Sequence, residues 1–131
     1  MVNGSILGIA YNVIPVKNAK KSGEWFVSHF GFNIRNDRGN YISLFRDNRP
    51  IIDLIESDNE TRAVFEVNGR PRWVVTFFTD DIESLHMRLT SDGVTTRPIS
   101  NEGIYGKFFV FEDLDGNLFD VWEHRDCELI F

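Results

Sequence analysis

At 131 residues with a net charge of −6, the chain has the length of one domain. It carries no dense Lys/Arg block, so nucleic acid is not an expected partner; Lys17, Lys20 and Lys21 read as a solvated helix face. No apolar run approaches the ~20 residues of a membrane span, residues 1–5 lack a signal-peptide pattern, and the single Cys127 allows no internal disulfide, which together point to a cytoplasmic protein.

Residues 8–16 are strand-like and end at Lys17-Asn18, where Asn18 suits a helix N-cap. The spacing of Ser22, Trp25, Phe26, His29 and Phe30 predicts a helix over 19–30, stopped by Gly31. A strand over 41–46, a turn at 47–50 and a returning strand over 51–56 follow. Residues 56–69 are polar and read as a linker. A second strand–helix pair then covers 73–79 and 82–90, with Asp80 or Asp81 as the cap and Asp92-Gly93 as the stop. The last hairpin is the plainest. Strands over 107–112 and 118–123 flank Asp113-Leu114-Asp115-Gly116-Asn117, whose Asp, Gly and Asn tolerate turn geometry.

The order β, α, β-hairpin thus occurs twice. Asn18 and Asp81 lie 63 residues apart, and Asp53 and Asp120 lie 67 apart. Chance recurrence in an α+β domain is the plain alternative; acids at matching places favour duplication. Asp120 alternates with apolar neighbours, so it lies either on a solvated face or at the floor of a site.

Val16-Lys17-Asn18, Ser22-Gly23-Glu24-Trp25-Phe26 and Phe30-Gly31-Phe32 resemble the opening module of the vicinal oxygen chelate superfamily, which includes glyoxalase, bleomycin-resistance and extradiol-dioxygenase proteins. Phe78-Thr79-Asp80-Asp81-Ile82-Glu83 resembles the start of its second module. Asp113 to Asn117 followed by Asp120 resembles its closing signature, with Leu114 where Pro is usual. The resemblance implies an α+β domain over 1–131. Two βαβββ modules, approximately 7–56 and 72–124, would form a curved mixed sheet around a cleft, with helices on the outer face. It also implies a homodimer.

The resemblance further places a divalent metal on four strand positions, commonly His, Gln or Glu. Here those positions fall on Tyr11, Asp53, Val74 and Asp120. Val74 cannot ligate, and a phenol gives up its proton only near pH 10. No metal and no cofactor are therefore expected, although a weakly held hard cation at Asp53 and Asp120 stays open. His29 and His86 fall on helices, and His124-x-x-Cys127 is a weak pattern. No Gly-x-Ser-x-Gly motif or Gly-rich phosphate loop occurs.

Alternation along strands brings Val13 and Pro15 to the face of Tyr11, Ile51 and Ile55 to that of Asp53, and Leu118 to that of Asp120. The expected ligand-binding set is Tyr11, Asp53, Val74, Thr76, Phe78, Asp120 and Trp122. An apolar cleft with acids suits a small molecule, and a cationic or aromatic one in particular. Against this stands a filled cleft in which Arg46, Arg72 or Arg97 neutralises the acids. The favoured function is a metal-independent small-molecule-binding or resistance protein. The alternative is a metal-dependent lyase, isomerase or dioxygenase with a non-standard metal site. A regulatory module without a ligand has no specific support.

Overall fold

Asn18 and Asp81 both cap helices as their side chains predict. In the computed structural model, which describes residues 3–124, the Asn18 Oδ1 accepts from the Lys21 N–H at 2.9 Å and the Asp81 Oδ1 from the Ser84 N–H at 3.1 Å. The helices they open, α1 (Ala19–Phe30) and α2 (Ile82–Ser91), match the expected spans closely. The molecule is α+β, and the chain divides after Ser57 into two compact units. Among the described residues no helix is long and apolar enough to cross a membrane.

The first unit holds β1 (Asn12–Val16), α1, β2 (Asn33–Asp37), β3 (Tyr41–Arg46) and β4 (Arg49–Glu56). They form one sheet in the order β1-β4-β3-β2, with β1 parallel to β4 and the other pairs antiparallel. Ile14 and Val16, Ile42 and Leu44, and Ile52 and Leu54 are fully buried together with Phe26 of α1. Period-two alternation therefore gives the sheet one face packed on the helix, and Tyr41, Ser43 and Asp53 take the other.

The second unit contains β5 (Val64–Val67), β6 (Arg70–Trp73), β7 (Val75–Phe78), α2, β8 (Ser100–Asn101), β9 (Lys107–Glu112) and β10 (Leu118–Glu123). Its main sheet runs β7-β10-β9-β8, with β7 parallel to β10. Phe111 and Phe119 are buried with Ile82 and Leu89 of α2. Phe77, Phe111 and Phe119 stack in near-parallel planes, with Phe119 5.2 Å from Phe77 and 5.3 Å from Phe111. Phe26, Phe109, Phe111 and Phe119 are core.

The Asp113–Asn117 turn is held by its own side chains. Asp113 Oδ1 accepts from the backbone N–H groups of Asp115 and Asn117, and Asn117 Nδ2 donates to Asp113 Oδ2 at 2.8 Å. Burial pushes the Asp113 carboxyl up to about 6, and these hydrogen bonds oppose the rise. Asn117 Oδ1 then accepts from the Ala63 N–H at 2.6 Å, which ties the preceding connection to the turn.

Residues 56–69 are not all linker. Val64–Val67 and Arg70–Trp73 pair as a hairpin, in the register Val64↔Trp73 to Val67↔Arg70. The connection is Asn68-Gly69, with φ of 52° and 75°. Both central residues of a type I′ turn need positive φ, which Asn and Gly tolerate. The strand expected over 73–79 is correspondingly shorter. Trp73 belongs to β6, and Val74 lies between the two strands. Likewise β1 begins at Asn12, so Tyr11 precedes it.

The two units repeat one contact that sequence does not display. The Ala19 N–H, first in α1, donates to Glu56 Oε2 at 2.9 Å, and the Ile82 N–H, first in α2, donates to Glu123 Oε1 at 2.8 Å. Each glutamate ends the last strand of its unit and places a carboxylate at a helix N-terminus, where exposed N–H groups favour negative charge. Glu56→Ala and Glu123→Ala are each expected to cost about 1 kcal/mol. Urea denaturation checks this. Conservative Gln variants should recover part of the loss, since the amide oxygen still accepts.

Candidate functional site

Asp53 lies at the middle of β4, on the face of the first sheet opposite α1. It is 4% exposed. Its register partners are Ser43 on β3 and Val13 on β1, and Ser43 in turn faces Asn36 on β2. A polar row, Asn36–Ser43–Asp53, therefore crosses the sheet. Phe45 and Pro50 flank it on one side, and Tyr41 and Ile55 on the other. These residues, with Tyr11 and Arg38, line a pocket of about 670 Å³.

The floor of the pocket is a side-chain pair. The Tyr41 hydroxyl donates a short hydrogen bond to Asp53 Oδ2. The hydrogen bond to Asp53 raises the Tyr41 pKa well above the phenol range; burial, the Asp53 charge and Tyr11 act in the same direction. Tyr41 is thus held as a neutral donor. Asp53 makes no further hydrogen bond among the described residues.

The corresponding acid of the second unit is held differently. Asp120 lies on β10 beside Thr76 of β7, and the Thr76 hydroxyl donates to Asp120 Oδ2 at 3.0 Å. Its Oδ1 is buried without a hydrogen-bond partner among the described residues. Val110 is its antiparallel neighbour, and Phe108 occupies the place that Tyr41 holds in the first unit. Phe108 has no hydroxyl to donate. Burial pushes the Asp120 carboxyl up to about 6; Thr76, the Val121 backbone N–H and the Arg72 charge pull it down.

Trp122 is two residues on, and Phe78 is its register partner. The indole N–H donates to the Tyr105 carbonyl at 2.8 Å, and the ring stacks on Phe108 at 6.3 Å. Gly106 permits this approach. It has φ of 97°, and a Cβ there would lie 2.3 Å from the Glu123 carbonyl oxygen and 2.8 Å from the Trp122 indole nitrogen.

Of the expected site residues, Tyr11 and Asp53 share the pocket of the first unit. Thr76 and Asp120 are hydrogen-bonded in the second, with Phe78 and Trp122 paired beside them. Val74 is 59% exposed and outside the strand ladder. Tyr41, Ser43, Asn36, Phe45 and Arg38 were not singled out by the sequence. The alternation of Tyr41, Ser43 and Phe45 beside Asp53 was the available signal.

The arginines expected as neutralising partners do not ion-pair with these acids. Arg46 lies 4.0 Å from Asp47 at an exposed turn, and Arg72 stacks over Trp73 at 4.3 Å. His86 Nε2 and His124 Nε2 each sit 2.9 Å from a backbone carbonyl, of Arg97 and Ile104. Cys127 lies outside the described residues.

A profile of the Glyoxalase/Bleomycin resistance protein/Dioxygenase superfamily matches residues 8–121. The chain belongs to this superfamily. Among solved structures it is similar to TnmS3, an antibiotic binding protein from Streptomyces sp. CB03234, at 20% identity and a TM-score of 0.70, covering 92% of this chain and 98% of that one. It is also similar to FosX, a genomically encoded fosfomycin resistance protein from Listeria monocytogenes, at 16% identity and a TM-score of 0.73, covering 95% and 98%. Lactoylglutathione lyase from Agrobacterium tumefaciens gives 13% identity, a TM-score of 0.68, and coverage of 90% and 94%. At these identities the likeness is one of fold. Comparison by sequence with curated proteins finds no match.

In neither unit do the residues at these positions offer the ligands a transition metal favours. Val74 offers no donor and Tyr11 only a phenol. Asp53 and Asp120 each give one oxygen to a hydroxyl. Imidazole or thiolate ligands, which such metals favour, are missing from all four positions. Within neither unit, among the described residues, do three or more His, Cys, Asp or Glu side chains gather as a metal site would need.

The raised Asp120 carboxyl makes a pH prediction. Its folded value lies above the ordinary 3.8, so folding favours the protonated form. That contribution is complete below about pH 4 and is lost as pH rises through about 6. Asp120→Asn keeps an acceptor for Thr76 and removes the charge. It should match the parent at low pH and gain on the order of 1 kcal/mol, a few degrees in Tm, at pH 8. Thermal melts of the two proteins running parallel from pH 4 to 8 would contradict this.

Proposed function

We propose that this protein binds a small molecule without a metal, as a sequestering or resistance protein, and that it works as a homodimer. The observation that carries the first part is the floor of the first unit's pocket. Where a metal-dependent relative would need free ligands, the Asp53 carboxylate is already engaged by a neutral phenol. The walls supply Phe45, Pro50 and Tyr11, and the row of Asn36 and Ser43 supplies polar groups. Apolar walls with a few placed polar groups are the usual make-up of a small-molecule site. TnmS3, similar in fold, is an antibiotic binding protein, which agrees with this reading.

Elemental analysis of the purified protein is expected to find well below one Zn, Ni, Fe or Mn per chain. Ligand binding should survive treatment with a chelator. Close to one metal per chain, lost in Asp120→Ala, would overturn the reading in favour of a metal-dependent lyase, isomerase or dioxygenase.

The homodimer rests on two exposed features. Ile6, Leu7 and Ile9 are each at least 85% exposed within four positions, and the edge strand β2 is exposed along its length. Unpaired strand edges and exposed apolar chains favour association. Light scattering should return twice the 15.2 kDa chain mass, and Ile6→Asp with Leu7→Asp should shift it toward the monomer. A monomer mass throughout the micromolar range would refute the pairing.

A further inference from the structure

We propose that the pocket of the first unit selects an amphoteric ligand, a flat molecule carrying both a cationic donor and an anionic group. The proposal rests on the small-molecule reading above and names the class that the pocket recognises.

Two opposite charges line this pocket without meeting each other. Asp53 is buried, and only its Oδ2 is engaged, by Tyr41; no further hydrogen bond reaches it among the described residues. Arg38 lines the same pocket, and its guanidinium makes no ion pair or hydrogen bond among the described residues. Its backbone N–H donates to the Tyr41 carbonyl at 2.9 Å, which fixes its place in the sheet. Arg38 therefore follows β2 opposite Tyr41, while Asp53 stands on β4, across β3. Two strand spacings and a two-residue offset along the strand separate their backbones by roughly 12 Å. Both side chains border one cavity, so a single ring with substituents at opposite ends can reach the two charges.

The surroundings suit the body of such a molecule. Phe45 and Pro50 border the polar row on one side and Tyr41 on the other, and Tyr11, which precedes β1, lines the same pocket. A flat ring can lie between them, with Ser43 and Asn36 beneath it as neutral partners.

Selectivity follows from what each charge repels. A purely cationic ligand satisfies Asp53 and meets the Arg38 charge. A purely anionic one satisfies Arg38 and meets the Asp53 carboxylate. Discrimination built on an unfavourable pairing is as effective as one built on an added contact. Only a ligand with both signs satisfies the two groups together.

The test uses four matched probes on the full chain: 4-(aminomethyl)benzoate, 4-methylbenzylamine, 4-methylbenzoate and neutral 4-methylbenzyl alcohol. Binding is followed by NMR titration of the pocket resonances. The amphoteric probe is expected to bind about tenfold more tightly than either singly charged one. Arg38→Gln, at an exposed position, should abolish the advantage over the amine and leave amine binding unchanged or improved. Asp53→Asn, which keeps an acceptor for Tyr41, should abolish the advantage over the benzoate.

Equal binding of the neutral alcohol would overturn the amphoteric class while leaving a small-molecule pocket in place. Equal losses for all probes in both variants would overturn it too, since the charges would not be read separately. Absence of saturable binding by all four also overturns the class. The metal content measured above then judges the underlying reading on its own.

Discussion

In each unit one parallel strand pair sets everything else. β1 lies against β4 and β7 against β10, and a helix must cross between strands that run the same way. The glutamate closing each last strand receives the first N–H of that helix, from Ala19 to Glu56 and from Ile82 to Glu123. This contact joins the strand end to the helix start. It also fixes the faces. Glu56 points toward the helix side, so Asp53, three residues earlier, points away from it. Glu123 and Asp120 stand in the same relation. Each acid is thus carried to the helix-free side of its sheet by the constraint that seats the helix.

A buried carboxylate has to be answered by a donor or lose its charge. The two units answer in different ways. On β3 the residue diagonal to Asp53 is Tyr41, and its hydroxyl reaches the acid. The equivalent place on β9 holds Phe108, which stacks on Trp122 and offers nothing to Asp120. Thr76 engages one oxygen, and the other stays unpartnered and buried. Three neighbours differ between the repeated frames, Val13 against Thr76, Ser43 against Val110 and Tyr41 against Phe108, and burial pushes the Asp120 carboxyl up to about 6.

The elements most legible in the sequence were those with strong local signals. Caps at Asn18 and Asp81 located both helices, and the Asp-Gly-Asn turn located the closing hairpin. The 63- and 67-residue offsets revealed the repeat. β2 was not legible, because Asn33–Asp37 is exposed at every position and has no buried face to impose alternation. β8, with two residues, is too short for any period. The β5–β6 hairpin did carry a signal, Asn68-Gly69 between Val64-Phe65 and Arg72-Trp73, but the charges of Glu66, Arg70 and Arg72 gave it the look of a linker. At the site, Asp53 and Asp120 were legible from their offset and from alternation. Tyr41 and Arg38 were not, because their role depends on strand register, which only the pairing of β2, β3 and β4 supplies.

The same reasoning explains how this fold tolerates different chemistry. The sheet guarantees an acid on the helix-free face, but its surroundings decide what that acid does. With imidazole and amide neighbours a carboxylate can share a cation. Beside Asp53 the neighbouring strand places Val13, and beside Asp120 it places Thr76, so neither acid has an imidazole partner there and a hydroxyl engages each. Tyr41 supplies a proton donor that is not readily ionised, since loss of its proton would place two negative charges side by side in a buried setting. That leaves Asp53 on β4 as an acceptor engaged by a phenol, and the Arg38 guanidinium beyond β3 on the border of the same pocket. Recognition in such a pocket depends on where fixed charges stand, and strand register is what sets their separation.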